Sequence, residues 1–347
     1  MNHPIRIGIV GAGNNTRNRH IPGFRAIDGV ELTAVVNSTP ESTRKAAEEF
    51  GIPHACGDWR ELVARDDIDA VLIGTWPYLH CDVTCAALAA GKHVLCEARM
   101  ACNADEARRM LNASRQRPDL VAQIVPSPFG LQFHEFVLGL LADGFLGELR
   151  ELVVIGATDL WMNASQPLHW RQETQFSGLN VLALGILHEA AMRWTPPTTR
   201  VFAQTALFET TRPRSQRSPK TNADIPDSVQ IVTQLAGGAR GLYHLSGVAA
   251  HGPGHQIHLY GSRGTIKLLV SPQEKLLIGR AGDAELREPE IPAVQCGGWR
   301  VEAEFIGAIR GEEDVKFTDF ATGVRYMEFA EAVHRSAAES RPVELTQ

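Results

Sequence analysis

Short apolar runs alternate with helical segments through the first third of the chain. The runs predicted as strands, which show no polar alternation, are Ile5–Val10, Glu31–Val36, Asp69–Gly74, His93–Cys96 and Leu120–Val125. The segments with helical composition between them are Glu41–Phe50, Trp59–Ala64, His80–Ala90 and Ala104–Gln116. Strands that are apolar throughout are typical of a parallel sheet covered by helices on both faces. The pattern therefore predicts an α/β domain with a doubly wound parallel sheet over residues 1–125.

The pattern changes in the second half, where successive strands are predicted to pair with each other. Val229–Leu235 and Arg240–Leu245 flank a Gly-Gly turn, and Gln256–Tyr260 and Thr265–Leu269 flank a second glycine turn. Glycine turns between such runs indicate β-hairpins. Residues 126–347 are therefore predicted to form a second domain that contains antiparallel strands.

Composition limits the kind of protein this can be. The chain has 347 residues, 44% hydrophobic and 21% charged, which fits two globular domains rather than a disordered chain. Its net charge of −6 argues against binding to a nucleic-acid backbone. It contains no apolar run long enough for a membrane span, and its first residues lack the layout of a signal peptide. The cysteines form no metal-type doublets, so we expect a soluble cytoplasmic protein with reduced thiols.

A glycine motif follows the first predicted strand. Gly11-Ala-Gly13-Asn-Asn-Thr16 matches G-x-G-x-x-G except at the final position. Between a strand and a helix, the first glycine makes the turn and the second lets the backbone approach a pyrophosphate, whose charge the helix N-terminus favours. The motif therefore predicts a dinucleotide site at Gly11 and Gly13. We expect Thr16, in place of the third glycine, to loosen the packing of this helix on the strand.

The end of the second strand indicates which dinucleotide is bound. Asp or Glu at this point holds the ribose hydroxyls of NAD, but here the residues are Asn37, Ser38 and Thr39. Loss of the carboxylate removes repulsion against a 2′-phosphate, and hydroxyl groups together with Arg44 offer that phosphate hydrogen bonds. These residues favour NADP over NAD, unless Arg44 is only a solvated helix residue.

Several segments together resemble a known family. The first three are Ile9–Gly13, Gly74–His80 (G-T-W-P-Y-L-H) and Ala90–Glu97 (A-G-K-H-V-L-C-E). They are similar to the glucose–fructose oxidoreductase, inositol dehydrogenase and rhizopine catabolism (Gfo/Idh/MocA) family, whose members carry a T-P-x-x-x-H-like loop and A-G-K-H-V-x-x-E-K-P. Further landmarks of that family are found at Gly144–Glu148, Trp170-Arg171, Ser177-Gly178 and Tyr260–Gly264. The resemblance thus covers nearly the whole chain.

The resemblance implies a fold, a cofactor and an activity. It implies an N-terminal Rossmann domain and a C-terminal α/β domain with a large, mostly antiparallel open sheet that packs against another subunit, in a homodimer or homotetramer. Members move hydride between a nicotinamide and a hydroxyl carbon of a sugar, polyol or cyclic diol, and a few use the cofactor transiently for elimination or glycoside cleavage. The residues that it assigns to the dinucleotide are Gly11, Gly13, Asn14, Asn15, Asn37, Ser38, Thr39, Thr75, Trp76 and Glu97.

The catalytic motif of the family is altered in this chain. Where E-K-P is expected, the residues are Glu97, Ala98 and Arg99, so alanine replaces the lysine that relays the proton of the alcohol. Alanine carries no proton, and the guanidinium of Arg99 stays charged at physiological pH. Arg99 is a candidate for binding an anionic substrate group or polarising an oxygen. The alternative is a structural salt bridge beneath the cofactor.

A second motif is shifted by one residue. The family's G-G-x-L-x-D-x-G-x-H helix corresponds to Ser177–His188, with Ala183 at the aspartate position and Leu187 at the histidine position. One residue turns a side chain by about 100° around a helix. His188 is still a candidate general acid or base, because the ordinary pKa of histidine is about 6.5. The alternative is a packed His188 that pairs with Glu189 or with a neighbouring strand.

Other polar and aromatic side chains complete the set of candidates. Tyr78 is a further catalytic candidate, and His134 is another possible proton carrier. His80 is predicted to contact the cofactor or to cap its helix. The candidates for the substrate pocket, which lie just before the second motif, are His169, Trp170 and Arg171. Arg171 is the residue expected to meet an anionic substrate group.

Two segments with suggestive composition are predicted to carry no site. The histidines of the first, which lie in a glycine-proline loop and the strand after it, are His251, His255 and His258. No carboxylate is near them in sequence, so no metal is expected. The second is Glu209–Ser228, whose cations are Arg212, Arg214, Arg217 and Lys220. It is predicted to be an exposed loop of solvated charge, with a mobile lid, an intersubunit arm or a contact with an acidic substrate as alternatives.

The residues and the resemblance together predict an NAD(P)-dependent oxidoreductase with non-standard catalytic residues. Its substrate is expected to be a small sugar-like, cyclic diol or aromatic-derived compound. The missing lysine and the shifted histidine keep two alternatives open. One is a lyase or hydrolase that retains a recycled dinucleotide, and the other is a non-catalytic dinucleotide-binding sensor.

Overall fold

The computed structural model describes residues 3–215, 218–271 and 273–345. Its helices are α1 (Ile21–Arg25), α2 (Pro40–Glu49), α3 (Trp59–Val63), α4 (His80–Ala89), α5 (Ala104–Arg115), α6 (His134–Ala142), α7 (Thr174–Ser177), α8 (Leu184–Met192), α9 (Val301–Arg310) and α10 (Phe320–Glu339). Its strands are β1 (Ile5–Val10), β2 (Val30–Val36), β3 (His54–Ala55), β4 (Ala70–Ile73), β5 (His93–Cys96), β6 (Ala122–Ile124), β7 (Leu149–Ala157), β8 (Thr198–Ala206), β9 (Thr211–Pro213), β10 (Lys220–Asn222), β11 (Ser228–Leu235), β12 (Arg240–Ser246), β13 (Gly254–Gly261), β14 (Gly264–Leu269), β15 (Lys275–Arg280) and β16 (Val343–Glu344).

The chain divides into two compact units. The first contains residues 1–126 and 300–327, and the second contains residues 127–299 and 328–347. Residues 300–327 lie outside the N-terminal range predicted from the sequence, because α9 packs on the first unit. There the buried ring of Phe305 meets the buried ring of Phe24 edge-on, with centroids 6.4 Å apart. An amphipathic helix alone does not tell which core it will join.

The first unit is built on a six-stranded parallel sheet in the order β3-β2-β1-β4-β5-β6. The four residues of β4 are fully buried, as expected for a strand covered on both faces. The doubly wound parallel sheet predicted from the apolar runs is therefore confirmed. Strand order reverses between β1 and β4, and in such sheets the ligand crevice lies at the carboxyl ends of these strands.

The second unit is built on an eight-stranded sheet in the order β15-β14-β13-β7-β12-β11-β8-β16. All its pairings are antiparallel except that of β7 with β12. The two predicted hairpins, β11 with β12 and β13 with β14, are confirmed. One face of the sheet packs on α8 around Leu187, Val154 and Leu245, which are fully buried. The large, mostly antiparallel sheet is also confirmed.

The polar segment between β8 and β11 differs from its prediction. Here β9 and β10 form a two-stranded sheet, and the side chain of Arg212 on β9 is fully buried. Its guanidinium donates to the carbonyl oxygens of Asn163 and Trp161 and lies 6.0 Å from the Trp161 ring. The prediction of solvated charge is therefore wrong for Arg212, because backbone carbonyls and an aromatic face replace its water. Arg217, in the same segment, lies outside the described residues.

No helix among the described residues is long and apolar enough to cross a membrane.

Candidate functional site

A cavity of about 480 Å³ opens in the first unit at the carboxyl ends of β1, β2 and β4. The predicted residues that line it are Gly11, Gly13, Asn37, Ser38, Thr75, Trp76 and Tyr78. They come from three loops far apart in sequence, and the strand order 2-1-4 makes these loops neighbours. The cavity therefore lies where the sheet topology predicts a ligand.

The glycine loop packs closely against the loop after β4. Gly11 has a φ of +93°, and its N–H donates to the carbonyl oxygen of Val36 over 2.8 Å. A Cβ on Gly11 would lie 2.8 Å from the backbone of both Gly74 and Thr75, which is too close for any side chain. The first glycine of the motif is therefore required by both its conformation and its neighbours.

Thr16, at the third position of the motif, strengthens this loop. Its side chain is buried, and its hydroxyl donates to the carbonyl oxygen of Gly11 over 3.0 Å. A Cβ on Gly74 would meet the Thr16 hydroxyl at 2.2 Å, so Gly74 supplies the close approach. The expectation that Thr16 loosens the helix–strand packing is wrong. The glycine that this close contact requires is Gly74, in the loop after β4, and not the residue at position 16.

The residues after β2 hold the glycine loop in place. The Asn37 side chain accepts from the backbone N–H of Ala12 over 2.7 Å and donates to the carbonyl oxygen of Ser42 over 3.0 Å. The Thr39 hydroxyl caps α2 by accepting from the N–H of Ser42, and Thr39 is not among the residues that line the cavity. Asn37 and Thr39 therefore act in this structure mainly as loop-building residues.

One carboxylate lies on the same side of the cavity. Asp58 follows β3, the strand beside β2, and lines the cavity together with Ser38 and Ser42. Its carboxylate caps α3 by accepting from the N–H of Arg60 over 2.7 Å. Arg44, in contrast, is exposed on α2 and is not among the residues that line the cavity.

The cavity fits a dinucleotide. The exposed backbone of Gly13 has only the carbonyl oxygen of Gly74 near the place of a Cβ, at 3.4 Å, so a phosphate can approach it closely. Among the described residues, the buried hydroxyl oxygen of Thr75 has no hydrogen-bond partner, which leaves it available to a ligand. Trp76 and Tyr78 add two half-exposed aromatic rings at the rim, with centroids 6.5 Å apart.

His80 does not reach this cavity. Its ring is fully buried at the start of α4, with its nitrogens 2.9 Å from the carbonyl oxygen of Arg99 and 3.0 Å from that of Thr75. Burial lowers the pKa of His80 below its ordinary value. His80 is therefore not among the residues that line the cavity, and its ring joins the loops after β4 and β5.

Glu97, at the end of β5, belongs to a buried polar network that the sequence analysis missed. Its Oε1 accepts from the side-chain amide of Asn15 and lies 2.9 Å from Nε2 of His20. The other ring nitrogen of His20, Nδ1, lies 2.5 Å from Oε1 of Glu302 on α9. No motif marks His20 or Glu302, and 282 positions separate them, so nothing in the sequence links them.

The protonation of this network follows from its hydrogen bonds. Burial by itself would lower the pKa of His20, but the bonds to Glu302 and Glu97 outweigh it and raise that pKa to about 9. Burial by itself would raise the pKa of Glu97, but the bond to His20 and its charge hold that pKa below its ordinary value. His20 is therefore an imidazolium and Glu97 a carboxylate at neutral pH.

Arg99 is nine-tenths buried in the first unit, and its peptide bond to Ala98 is cis. Its carbonyl oxygen is one of three that face His80. Its guanidinium is buried, and its role stays a prediction.

His188 lies in the core of the second unit. Its ring stacks on that of Phe329, and its Nδ1 lies 2.8 Å from the hydroxyl oxygen of Tyr243. Burial lowers its pKa to about 3. His188 thus lies in the core beside Leu187, in the arrangement of the packed alternative, and its partner Tyr243 is on the neighbouring strand β12. Its neighbour Glu189 pairs with Arg193 instead, at 2.8 Å.

The predicted substrate residues form a compact aromatic and cationic cluster in the second unit. His169 caps a short 3₁₀ turn, its Nδ1 accepting from the N–H of Arg171 over 3.1 Å. The guanidinium of Arg171 lies 4.1 Å from the centroid of the Trp170 ring. Burial, with the charge of Arg171, lowers the pKa of His169 to about 4. His169 is thus a neutral capping residue, while Trp170 and Arg171 are partly exposed.

The remaining histidines have local partners. His134 begins α6, and burial lowers its pKa. His255 stacks on the ring of Phe129 with centroids 5.4 Å apart, and His258 lies 2.9 Å from the side-chain oxygen of Gln256. Within the described ranges, no group of three or more His, Cys, Asp or Glu residues is placed to hold a metal ion.

The parallel sheet, the glycine loop and the cavity beside it define a Rossmann-fold dinucleotide-binding protein. Residues 5–123 match the family model described as "Oxidoreductase family, NAD-binding Rossmann fold", and residues 136–267 match the C-terminal domain model of the same family. The chain therefore belongs to the Gfo/Idh/MocA family of NAD-binding oxidoreductases, which confirms the resemblance.

Relatives of known activity support this assignment. The chain is 24% identical over 265 residues to levoglucosan dehydrogenase of Pseudarthrobacter phenanthrenivorans, covering 72% of this chain and 67% of the relative. It is 28% identical over 271 residues to a dTDP-3,4-didehydro-2,6-dideoxy-α-D-glucose 3-reductase of Saccharopolyspora spinosa, covering 77% and 75%.

The fold has a counterpart among solved structures. The structure of a levoglucosan dehydrogenase in complex with NADH and L-sorbose superimposes with a TM-score of 0.89, covering 99% of both chains at 23% identity. At this identity the likeness supports the shared fold.

Proposed function

We propose that this chain transfers hydride between a nicotinamide dinucleotide and a hydroxyl or carbonyl carbon of a small sugar-like molecule. The observation that carries the proposal is the cavity at the glycine loop, where Gly11 and Gly13 leave room for phosphates and the Thr75 hydroxyl has no partner within the described part of the chain. Both relatives named above act on sugars or sugar derivatives by their names. A sugar-like substrate is for this reason preferred to the cyclic diols and aromatic-derived compounds also considered.

The residues of the first unit have separate proposed roles in binding and in proton transfer. The backbone of Gly11–Gly13 binds the pyrophosphate, and Ser38 and Asp58 flank the adenosine half beside β2. When bound, the nicotinamide supplies the acceptor or donor of hydride. The phenol of Tyr78 at the cavity rim carries the proton of the alcohol, since His188 is buried in the second unit and position 98 is alanine.

The test is a substrate panel read by the absorbance of the reduced nicotinamide. A set of sugars, anhydrosugars and polyols is incubated with the purified protein and each oxidised dinucleotide. Net reduction with at least one of them supports the proposal. Binding of dinucleotide with turnover of a sugar, but without net or transient reduction, would contradict it.

We propose NAD as the natural cofactor, in place of the NADP indicated by Asn37–Thr39 and Arg44. The carboxylate of Asp58 lines the cavity next to Ser38, where it can accept hydrogen bonds from ribose hydroxyls and would repel a 2′-phosphate. Arg44, on which the NADP preference depended, points to solvent. The guanidinium of Arg60 lies 3.5 Å from the Asp58 carboxylate and only partly offsets its charge.

Asp58→Asn tests this preference, because asparagine caps a helix about as well as aspartate and the fold is expected to survive. The ratio of the NADP⁺ and NAD⁺ dissociation constants should fall by roughly tenfold, the effect of removing one nearby charge. The control is Asp105→Asn, which removes an exposed carboxylate from α5, away from the cavity. An unchanged ratio in Asp58→Asn would contradict the assignment.

A second function has one observation in its favour. Ala98 replaces the motif lysine and His188 is buried, so the usual proton relay of the family is missing. A lyase or hydrolase that recycles a retained dinucleotide fits this loss. Turnover of a glycoside without added nucleotide, with dinucleotide recovered from the denatured protein, would favour this second function over net oxidation.

We also propose that the chain forms a homo-oligomer through the sheet of the second unit. Phe202, Val232 and Leu242 are register neighbours on β8, β11 and β12, and they are 44%, 52% and 47% exposed. A row of exposed apolar side chains on a sheet is typical of an interface. Val232→Lys should lower the mass in light scattering to that of one chain, while Asp105→Lys, at an exposed residue of the first unit, serves as control.

The six cysteines, all free thiols, support a reducing compartment, and we propose the cytoplasm.

A further inference from the structure

The network of Glu97, His20 and Glu302 is buried at the carboxyl edge of the parallel sheet. The His20 and Glu302 side chains are 0% and 5% exposed, and that of Glu97 is 15% exposed. Three ionisable groups in contact are costly to bury. The network therefore needs an explanation beyond stability.

Local packing is arranged to bring Glu302 to His20. A single π-helical turn, Thr16–His20, follows the glycine loop and carries His20 at its end. On α1, a Cβ at Gly23 would lie 2.8 Å from the Glu302 carboxyl carbon, so glycine at this position lets Glu302 reach His20. Such π-helical turns are frequent at functional sites.

The net charge of the network is fixed by its hydrogen bonds. With His20 as the imidazolium, Oε1 of Glu302 accepts from its Nδ1 over 2.5 Å. Two glutamates thus face one cation, so the network is negative overall.

The network also joins the two halves of the dinucleotide site. Asn15, in the motif that begins at Gly11, donates to Glu97 at the end of β5. In a sheet of this order the adenosine half lies over β1 to β3, so the second nucleotide lies over the ends of β4 and β5. If the proposed function is correct, Glu97, the most exposed member of the network, is thus on the nicotinamide side of the site.

We propose that His20 and Glu302 are positioning residues that hold Glu97 as a carboxylate at the nicotinamide side, and that their network favours binding of the oxidised cofactor. The nicotinamide ring of NAD⁺ is a cation and that of NADH is neutral. A fixed negative charge nearby therefore strengthens binding of NAD⁺ while leaving that of NADH nearly unchanged.

The pH response distinguishes this role from simple packing. His20 stays protonated and Glu97 ionised between pH 6 and pH 8, so the wild-type ratio of NADH to NAD⁺ dissociation constants should be flat there. Among the described residues, the other titratable groups near Glu97 are His80, which burial keeps neutral in this range, and Cys96, whose thiol burial keeps protonated. If this ratio depends on pH in a variant, the dependence can then be assigned to the network.

Two substitutions test the proposal. In Glu302→Gln the network becomes neutral while His20 is charged, so the NADH-to-NAD⁺ ratio should fall roughly tenfold at pH 6 and recover as pH rises. In His20→Gln the network loses its cation and keeps both glutamates, so the ratio should not fall, which distinguishes an effect of net charge from the loss of any one polar group. Both dissociation constants are measured by fluorescence titration of the full chain at pH 6, 7 and 8.

The matched control is Glu304→Gln. Glu304 is a buried carboxylate on the same helix, but it accepts from Gln123 and from the backbone N–H of Lys316 and Phe317. Loss of the Glu304 carboxylate should lower the melting temperature of the protein. The ratio of the NADH and NAD⁺ dissociation constants should stay at its wild-type value at each pH.

Each outcome decides between the two proposals. A flat, unchanged ratio in folded Glu302→Gln, or an equal shift in Glu304→Gln, would overturn the positioning role while leaving the proposed function standing. If the wild type binds neither NAD⁺ nor NADH, the proposed function itself fails. Should His20→Gln not fold, Glu302→Gln still decides, because glutamine keeps the shape of glutamate.

Discussion

The ring of His188 lies flat on the ring of Phe329, with centroids 3.5 Å apart and 8° between the planes. The Tyr243 hydroxyl completes its surroundings, so every contact of His188 described here is with the core. A histidine that stacks in this way contributes packing rather than proton transfer. We expect the same of His188.

Replacing His188 should affect stability much more than turnover. His188→Phe keeps an aromatic ring against Phe329 but leaves the Tyr243 hydroxyl without its partner, which costs about 1–3 kcal/mol in the free energy of unfolding. Urea unfolding measures that loss, and initial rates on the substrate found in the panel should stay within about twofold. A thousandfold loss of kcat with normal stability would instead show that His188 takes part in catalysis.

The free energy of unfolding should depend on pH through His188. Its pKa is lowered from 6.5 to about 3 on folding, so the neutral form is favoured in the native state. The stability associated with this shift is present above pH 6.5 and is lost as pH falls towards 3. Wild type should lose more stability than His188→Phe between pH 7 and pH 4.5. Parallel acid profiles for the two proteins would contradict this assignment.

His20 should give the opposite pH dependence. Its pKa is raised from 6.5 to about 9 on folding, so its contribution is fully present below pH 6.5 and is lost as pH rises through 9. The difference in unfolding free energy between wild type and His20→Gln should therefore be larger at pH 6 than at pH 9.5. Thermal unfolding at both values provides the measurement, and a difference that grows with pH would refute the raised pKa.

Tyr78→Phe separates proton transfer from binding. Loss of the phenol hydroxyl should lower kcat by about 10²-fold, because a positioned general acid or base contributes about that much. The aromatic ring is retained, so the dissociation constant of NADH should change little. If the rate is unaffected, another group carries the proton, and the lyase or hydrolase alternative gains support.

Gly11→Ala should abolish dinucleotide binding. The new Cβ would lie 2.8 Å from the backbone of Gly74 and Thr75, at a φ that alanine rarely adopts, so the loop must move. Gly51→Ala is the matched control, since Gly51 also has a positive φ but has nothing within 4 Å of its Cβ position. Thermal shift with saturating NADH should disappear only in Gly11→Ala. Retained binding would show that the cavity is not the dinucleotide site.

Several features of the fold could be predicted from local pattern. The uninterrupted apolar runs indicated buried parallel strands, and paired runs around glycine turns indicated the hairpins of the second sheet. In both cases the information lies within a few neighbouring residues, whose backbone geometry and burial the pattern reports directly. Prediction was weaker for Thr16, because the close contact it makes is with Gly74, in a loop that the sequence does not place beside it.

The sequence by itself determined the class of each element, the parallel sheet and the position of the glycine loop. Only the tertiary structure decided which polar groups share the site. His20 meets Glu302 across 282 positions, Asp58 comes beside Ser38 through the pairing of β3 with β2, and His188 turns into the core. The physical reason is that secondary structure follows from interactions between near neighbours. The charge and exposure of an ionisable side chain depend instead on groups brought to it by packing.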